Sequence, residues 1–387
     1  MSCPDINDAD RQAVLDVLHT NYLSMGPKID DFEMAVAEYT GVSNAVGVNS
    51  GTSGLHLCVR AADFKPGDFV ITTPFSFVAS SNVLLFENII PVFVDVDSRT
   101  GNIDPDKVIL ATADLKSGEA DRMNKWLPRK GIEKPGKLRG ILAVDVFGQP
   151  ADYGKLEKIA SENDLILIED SCEAIGAELN HRKAGTFGDF GVFAFYPNKQ
   201  MTTGEGGMVV TNNSKAAGLM RALRNQGRAP GDNWLQHTHL GYNYRLDEMS
   251  AALGLSQMQR IDNMIKNRGS VAQWYNNHLK AIEGIEIPFV SSDTSRMSWF
   301  VYVIRIDKRY NRDRTAEKLD SAGIPVRPYF LPIHLQPYMV DRFGYQEGDF
   351  PITEDLGNRS LALPFSGVMT EDQVKLVCNS LEKCLCN

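Results

Sequence analysis

The chain has 387 residues, 43% hydrophobic and 23% charged, a composition of ordinary globular proteins and a length for about two domains. Its formal net charge of -9 argues against a general nucleic-acid or anionic-membrane surface. No apolar run reaches the ~20 residues that span a bilayer, and Met1-Ser2-Cys3-Pro4-Asp5 lacks a basic segment followed by an apolar one, so no membrane partner and a cytoplasmic location are expected.

Residues 6–19 show helical spacing in Ile6, Val14, Leu15, Val17 and Leu18, and Met25-Gly26-Pro27 ends it. A second helix follows, with Ile29, Phe32, Val36 and Tyr39 apolar and Gly41 closing it. Strand patterns then alternate with helical ones. Strands are expected at 45–48, 69–72, 91–96, 140–146, 165–169, 191–195 and 208–211, with helix-like stretches at 52–62, 77–88 and 153–163 between them. Continuous Val/Ile/Leu runs separated by helices predict an α/β fold, a mostly parallel sheet of seven strands sandwiched by helices.

Residues 112–139 interrupt the alternation. Between 116 and 139 there are eight Lys or Arg against Glu119, Asp121 and Glu133. The segment reads as a solvated surface insertion, with contact to an anionic ligand or a neighbouring subunit as the alternative. Past residue 245 a long helical pattern covers 246–282, followed by a strand at 299–304, a helix at 313–322 and a Pro-rich stretch at 325–337. This describes a smaller α+β domain. The expected division is an N-terminal segment 1–30 packing near the C-terminal domain, a large domain 31–245 and a small domain 246–387. The six cysteines are sparse, with no CxxC pair and no HExxH. Cys378, Cys384 and Cys386 read as thiols of a final helix, and no metal site is expected.

Four constellations bear chemistry. Asn49-Ser50-Gly51-Thr52-Ser53-Gly54 lies between a strand and a helix, where small residues let backbone amides approach a phosphate, although many strand-to-helix turns look alike. Asp170 ends the strand Leu165-Ile166-Leu167-Ile168-Glu169, and Glu173 follows at a spacing that turns both carboxylates one way; a capping role is the plain alternative. Lys199 follows Phe195-Tyr196-Pro197-Asn198 and precedes Gly204-Glu205-Gly206-Gly207, which presents one amine at the mouth of a pocket; desolvation there would make it nucleophilic. Leu240-Gly241-Tyr242-Asn243-Tyr244-Arg245 joins the two expected domains. A lysine at one strand end and an aspartate at another suit pyridoxal 5'-phosphate: the amine forms an imine, and the carboxylate keeps the pyridine nitrogen protonated so that the ring acts as an electron sink. A nicotinamide fold would need GxGxxG after the first strand, and the 49–54 turn lacks that spacing.

Taken in order, these segments resemble the DegT-type family of sugar aminotransferases, fold type I enzymes of the aspartate aminotransferase superfamily. The resemblance spans essentially the whole chain, including Pro91-Val92-Phe93-Val94-Asp95-Val96-Asp97, Glu169-Asp170-Ser171-Cys172-Glu173-Ala174 and Gly241-Tyr242-Asn243-Tyr244-Arg245. It implies that Lys199 binds the cofactor covalently and then shuttles a proton, that Asp170 bonds the pyridine nitrogen, and that Glu173, where many members have glutamine, sits near the phenolic oxygen. It further implies that Phe77 stacks on the ring, that Gly51, Thr52 and the Ser53 backbone hold the phosphate, and that Asn243 reaches the phosphate of the partner subunit, so that a homodimer shares its active sites. The implied reaction moves an amino group from an amino acid, glutamate by expectation, to a keto sugar attached to a nucleotide, in surface-polysaccharide or glycosylated-metabolite synthesis. A keto-cyclitol substrate, or a non-catalytic binding protein on the same fold, is the competing reading.

The chain departs from the family pattern at Ala194, where many members have a phosphate-binding serine, at Asp145, where many have histidine, and in the length of the basic 112–139 segment. Arg224, Arg228, Arg245 and Arg327 are candidates for a diphosphate because a guanidinium binds phosphate bidentately. Tyr196, Tyr329 and His334 are candidates for lining the sugar site.

Overall fold

The structure, a computed structural model, describes residues 2–386. Its centre is a seven-stranded sheet of β1 (Asn44–Val48), β2 (Phe69–Thr72), β3 (Ile90–Phe93), β4 (Leu138–Val144), β5 (Ile166–Asp170), β6 (Phe190–Ala194) and β7 (Gly207–Thr211). The spatial order is β1-β7-β6-β5-β4-β2-β3. Only β7 runs against the rest, antiparallel to both β1 and β6. The expected seven strands and their mostly parallel arrangement are therefore present. The strands are apolar on both faces because both are covered: Val46, Leu57, Val70, Leu142 and Val192 pack on one side and Phe69, Ile71, Ile141, Ala143 and Leu167 on another.

Parallel pairing puts the C-terminal ends of β1, β2, β4, β5 and β6 along one edge, which is where open α/β sheets bind ligands. Helix Gly51–Ala61 begins at that edge, capped by the Ser50 hydroxyl, which accepts from the Ser53 amide at 3.1 Å. It lies unusually close to the sheet. A Cβ on Gly51 would meet the Ala194 Cβ and the Cys172 Sγ at 2.8 Å, so only glycine lets the helix start there.

A second, antiparallel sheet joins Ile285–Glu286, Tyr302–Ile306, Ser360–Leu363 and Arg327–Pro328. Helices Ile261–Leu279, Arg312–Ser321 and Glu371–Cys386 cover it, burying Tyr275, Tyr302, Leu319 and Leu381. Cys378 belongs to this core, Cys384 is half-buried, and the side chain of Cys386 lies outside the described residues.

Three segments differ from expectation. The long helix over 246–282 is two helices, Glu248–Met258 and Ile261–Leu279. At the break, Arg260 leaves helical geometry (φ -127°) and reaches back to Asp5 at 2.8 Å and Asp10 at 2.7 Å, tying down the N-terminal segment. The strand expected at 299–304 starts only at Tyr302, because the amides of Ser298 and Phe300 bond the carbonyls of Gly148 and Phe147 instead of a neighbouring strand. The basic 112–139 segment is partly helical (Pro105–Lys116 and Ala120–Met123), and several of its charges are used within the chain. Arg122 and Trp126 both donate to Asp114, and Arg129 holds Asp349 bidentately at 2.5 and 2.6 Å. Charge counting could not reveal those partners, because Asp349 is 220 residues away in sequence.

Candidate active site

A cavity of about 610 Å³ opens at the C-terminal edge of the sheet. β5 delivers Asp170, the turn after it Cys172 and Glu173, and the loop after β6 Tyr196, Asn198 and Lys199. The start of helix Gly51–Ala61 supplies Ser50, Gly51 and Thr52, and the turn after β2 supplies Ser76 and Phe77. The segments flanking two strands of the small sheet add Phe300, Tyr329 and Phe330 to the lining. Lys199 and Asp170 thus face one space although they leave different strands.

The electrostatics of that space are specific. Lys199 Nζ lies 3.6 Å from Glu173 Oε1 and 3.8 Å from the centre of the Phe300 ring. Burial pushes the Glu173 carboxyl up, and the Lys199 ammonium and the Phe147 amide oppose it. Glu173 Oε2 accepts from that amide at 2.9 Å. Asp170 is buried, with Oδ2 accepting from Ser80 Oγ at 2.6 Å, and Ser80 in turn touches Ser76 at 3.0 Å. Burial, helped by the Glu173 charge, raises the Tyr329 phenol to about 12, so it stays a hydroxyl at neutral pH. Burial also holds the Cys172 thiol well above its usual range.

The donor set fits pyridoxal phosphate. A buried anion is available for a protonated ring nitrogen, an amine for the aldehyde, and the hydroxyls of Ser50, Thr52 and Ser76 with a helix N-terminus for the phosphate. Ala194 lines the same cavity without a hydroxyl, which leaves those of Ser50, Thr52 and Ser76.

The remaining expected site residues lie in other places. Ser53 is buried, its amide taken by Ser50 and its hydroxyl by Asn49 at 2.7 Å. Asn243 is exposed outside this protomer's cavity, its carbonyl accepting from Asn49. Arg327 lines a neighbouring pocket of about 310 Å³ that shares Tyr196, Asn198 and Tyr329 with the main cavity. Arg245 donates to Asn225, and Arg228 stacks over Trp234. Arg224 is not an open recognition group: it is buried, bonding Glu33 and the Gly47 carbonyl. His334 likewise points into the protein, fully buried with Nε2 3.0 Å from Glu354 and Phe350 packed on its ring. Both were expected near substrate because nothing in their local sequence distinguishes a cleft from a core.

Ser80 and Phe300 were missed. Ser80 precedes Asp170 by 90 residues and Phe300 lies just before a strand of the second sheet, far along the chain from Lys199, so no local pattern marks either. Asp145, which takes the place of a common histidine, lies fully buried behind the site. It accepts from Tyr153 Oη at 2.7 Å, Ser171 Oγ at 2.6 Å and the Ala151 amide at 3.0 Å. Burial nonetheless raises its carboxyl to about 7.

Comparison with known proteins agrees with this chemistry. The DegT/DnrJ/EryC1/StrS aminotransferase family matches residues 4–382. GDP-perosamine synthase of Caulobacter vibrioides is 33% identical over 100% of this chain and 98% of its own length. Spore coat polysaccharide biosynthesis protein SpsC of Bacillus subtilis is 32% identical over 96% of this chain and 93% of its own. Among solved structures, Helicobacter pylori PseC, an aminotransferase involved in pseudoaminic acid biosynthesis, superposes with a TM-score of 0.88 at 28% identity, covering 99% of this chain and 98% of that one. With its sheet, its lysine–aspartate cavity and these relatives in agreement, the chain belongs to the DegT/DnrJ/EryC1/StrS family, as a pyridoxal-phosphate-dependent sugar aminotransferase.

Proposed function

We propose that the amino acceptor is a keto sugar carried on a nucleoside diphosphate, that glutamate is the donor, and that the protein works as a cytoplasmic homodimer in surface-polysaccharide or glycosylated-metabolite synthesis. The observation that carries the acceptor is Arg327. This exposed residue lines the pocket beside the main cavity, and Tyr196, Asn198 and Tyr329 line both. A sugar seated against Lys199 would place a linked diphosphate near this cation, which spends one donor on the Val326 carbonyl at 2.8 Å and has others to offer. The GDP-linked product in the name of the Caulobacter relative supports the same class.

The dimer reading rests on the segment around Asn243. Trp234, Leu235 and Leu240 are 81, 70 and 81% exposed, an apolar cost that a second subunit would remove. Asn243 lies at the end of this segment and would meet the phosphate of the partner's site.

Bound pyridoxal phosphate supplies the electron sink for the transfer. Lys199 would hold it through its amine and then move the proton at the reacting carbon. Asp170, fixed by Ser80, would keep a positive charge at the ring nitrogen, and Glu173 would balance the charge beside Lys199. Phe77 would cover the ring face, and Thr52, Gly51 and the helix N-terminus would hold the phosphate. Phe300, whose ring centre lies 3.8 Å from the amine, and Tyr329 would limit the access of water to it.

A panel of nucleotide-linked and free keto sugars, each with glutamate, tests the reading through 2-oxoglutarate release. Only the nucleotide-linked sugars are expected to turn over well. Arg327→Met is expected to raise KM for them by about tenfold, the loss of one charge-assisted contact, without slowing the half-reaction with glutamate. Equal use of a free keto sugar or keto-cyclitol refutes the acceptor class, and a monomer in sedimentation at working concentration refutes the shared site.

A further inference from the structure

Arg268 is 3% exposed on helix Ile261–Leu279, which covers the small sheet, yet among the described residues none of its hydrogen-bond partners is a carboxylate. Its guanidinium meets four backbone carbonyls: Trp299 at 3.2 Å, Phe300 at 3.1 Å, Asn198 at 3.4 Å and Lys199 at 2.6 Å. Burial lowers its pKa to about 10, which still leaves it a cation at neutral pH. The Asp5 carboxylate acts on it only through its charge, without a hydrogen bond. A buried cation with no directly bonded anion is costly, and an apolar side chain would fill the same space beside Phe365 more cheaply. The four carbonyls do not have equal standing. Two belong to the peptide segment from which the Lys199 side chain springs. The other two belong to the segment that lays the Phe300 ring 3.8 Å from the Lys199 amine.

We propose that Arg268 is a positioning residue for Lys199: by closing the 198–199 and 299–300 carbonyls onto one planar group, it sets the direction in which the amine enters the cofactor cavity. A guanidinium suits this task because its donors lie in a rigid fork, so the two segments cannot shift independently. The Lys199 side chain is long, and a small tilt of its backbone is amplified at Nζ. A misplacement of about 1 Å at a reacting group can cost about 100-fold in rate. The same contact links helix Ile261–Leu279 to the lysine loop, so the packing of that helix and the alignment of the amine are coupled. This rests on Lys199 being the amine that binds the cofactor.

The experiment uses apoprotein mixed with pyridoxal phosphate and follows the growth of visible absorbance, with the borohydride-reduced adduct measured by mass. Arg268→Met is expected to slow covalent capture by at least about tenfold and to shift the pH midpoint of the visible band. Arg268→Lys, which keeps the charge but reaches fewer carbonyls, is expected to fall between it and the wild type, and it carries the test if the methionine variant does not fold. Arg312→Met is the control. Arg312 also bridges two carbonyls, Gly357 at 2.9 Å and Ser360 at 2.8 Å, away from the lysine. It is expected to lose thermal stability while capturing the cofactor at the normal rate. Wild-type capture in folded Arg268→Met, or equal slowing in Arg312→Met, overturns the proposal. A reducible adduct in Lys199→Ala instead overturns the lysine assignment itself.

Discussion

Glu33→Gln tests how the Asn243 segment is anchored. Glu33 accepts from the Gly47 amide at 2.9 Å, from Arg221 at 3.0 Å and from Arg224, and both Glu33 and Arg224 are almost fully buried. Arg224 ends helix Ser214–Arg224, and its carbonyl accepts from the Tyr244 amide at 2.9 Å, while the Leu223 carbonyl accepts from Tyr242 at 2.6 Å. The ion pair therefore fixes the main chain on both sides of Asn243. Glutamine preserves the shape and the Gly47 contact but turns a donor toward a guanidinium and leaves a buried cation uncompensated. Breaking a buried pair in this way costs about 3–5 kcal/mol. Arg224 keeps its bond to the Gly47 carbonyl, and Arg221 is 38% exposed, so its share is a surface pair worth at most about 1 kcal/mol. The expected loss is therefore about 3 kcal/mol, several degrees in Tm for a chain of this size. Differential scanning calorimetry of the apoprotein reads it directly. Glu33→Met combined with Arg224→Met removes both charges and should recover most of the loss. A Glu33→Gln protein within about 1 kcal/mol of the wild type refutes this account of the pair.

Other outcomes follow from the same contacts. Asp170→Asn should leave the fold intact and reduce kcat by about 100-fold or more, since the anion acts in a water-poor site; turnover with each substrate checks it. Ser80→Ala removes a charge-assisted bond to Asp170 and should weaken cofactor retention by about tenfold, measured by dialysis against a competing apoprotein. Asp145 supplies a pH test. Its folded carboxyl is raised to about 7 from 3.8, so its contribution to stability is present below the lower value and is lost as pH rises through the upper one. The Tm advantage of the wild type over Asp145→Asn should therefore shrink between pH 5 and pH 8, and an unchanged gap contradicts it. His56, lowered by burial against the opposing pull of Glu87, runs the other way: its contribution is present above its ordinary value of 6.5 and is lost as pH falls below it. His56→Asn should accordingly flatten the acid side of the Tm profile.

The fold was legible because its signals are local. Apolar runs with a period that changes between strand and helix mark all seven central strands, and glycine turns mark where the chain leaves the sheet edge. The lysine loop and the acidic strand end were legible for the same reason: each is a short pattern at a strand terminus. The break at Arg260 was not, because the apolar spacing continues through it and only Asp5 and Asp10, some 250 residues earlier, pull that residue out of the helix. The candidate substrate residues divide in the same way. Arg224 and Arg327 look alike as isolated arginines, yet one is spent on Glu33 inside the protein and the other faces solvent at the pocket beside the cavity.

Sequence alone thus determined the order of elements, the sheet edge at which chemistry occurs, and the amine and carboxylate placed there, since each depends on neighbours a few residues away. Tertiary structure decided which other groups surround them. Ser80 beneath Asp170, Phe300 beside Lys199 and Arg268 across the lysine loop arrive from distant stretches of chain, and only tertiary packing brings them into contact.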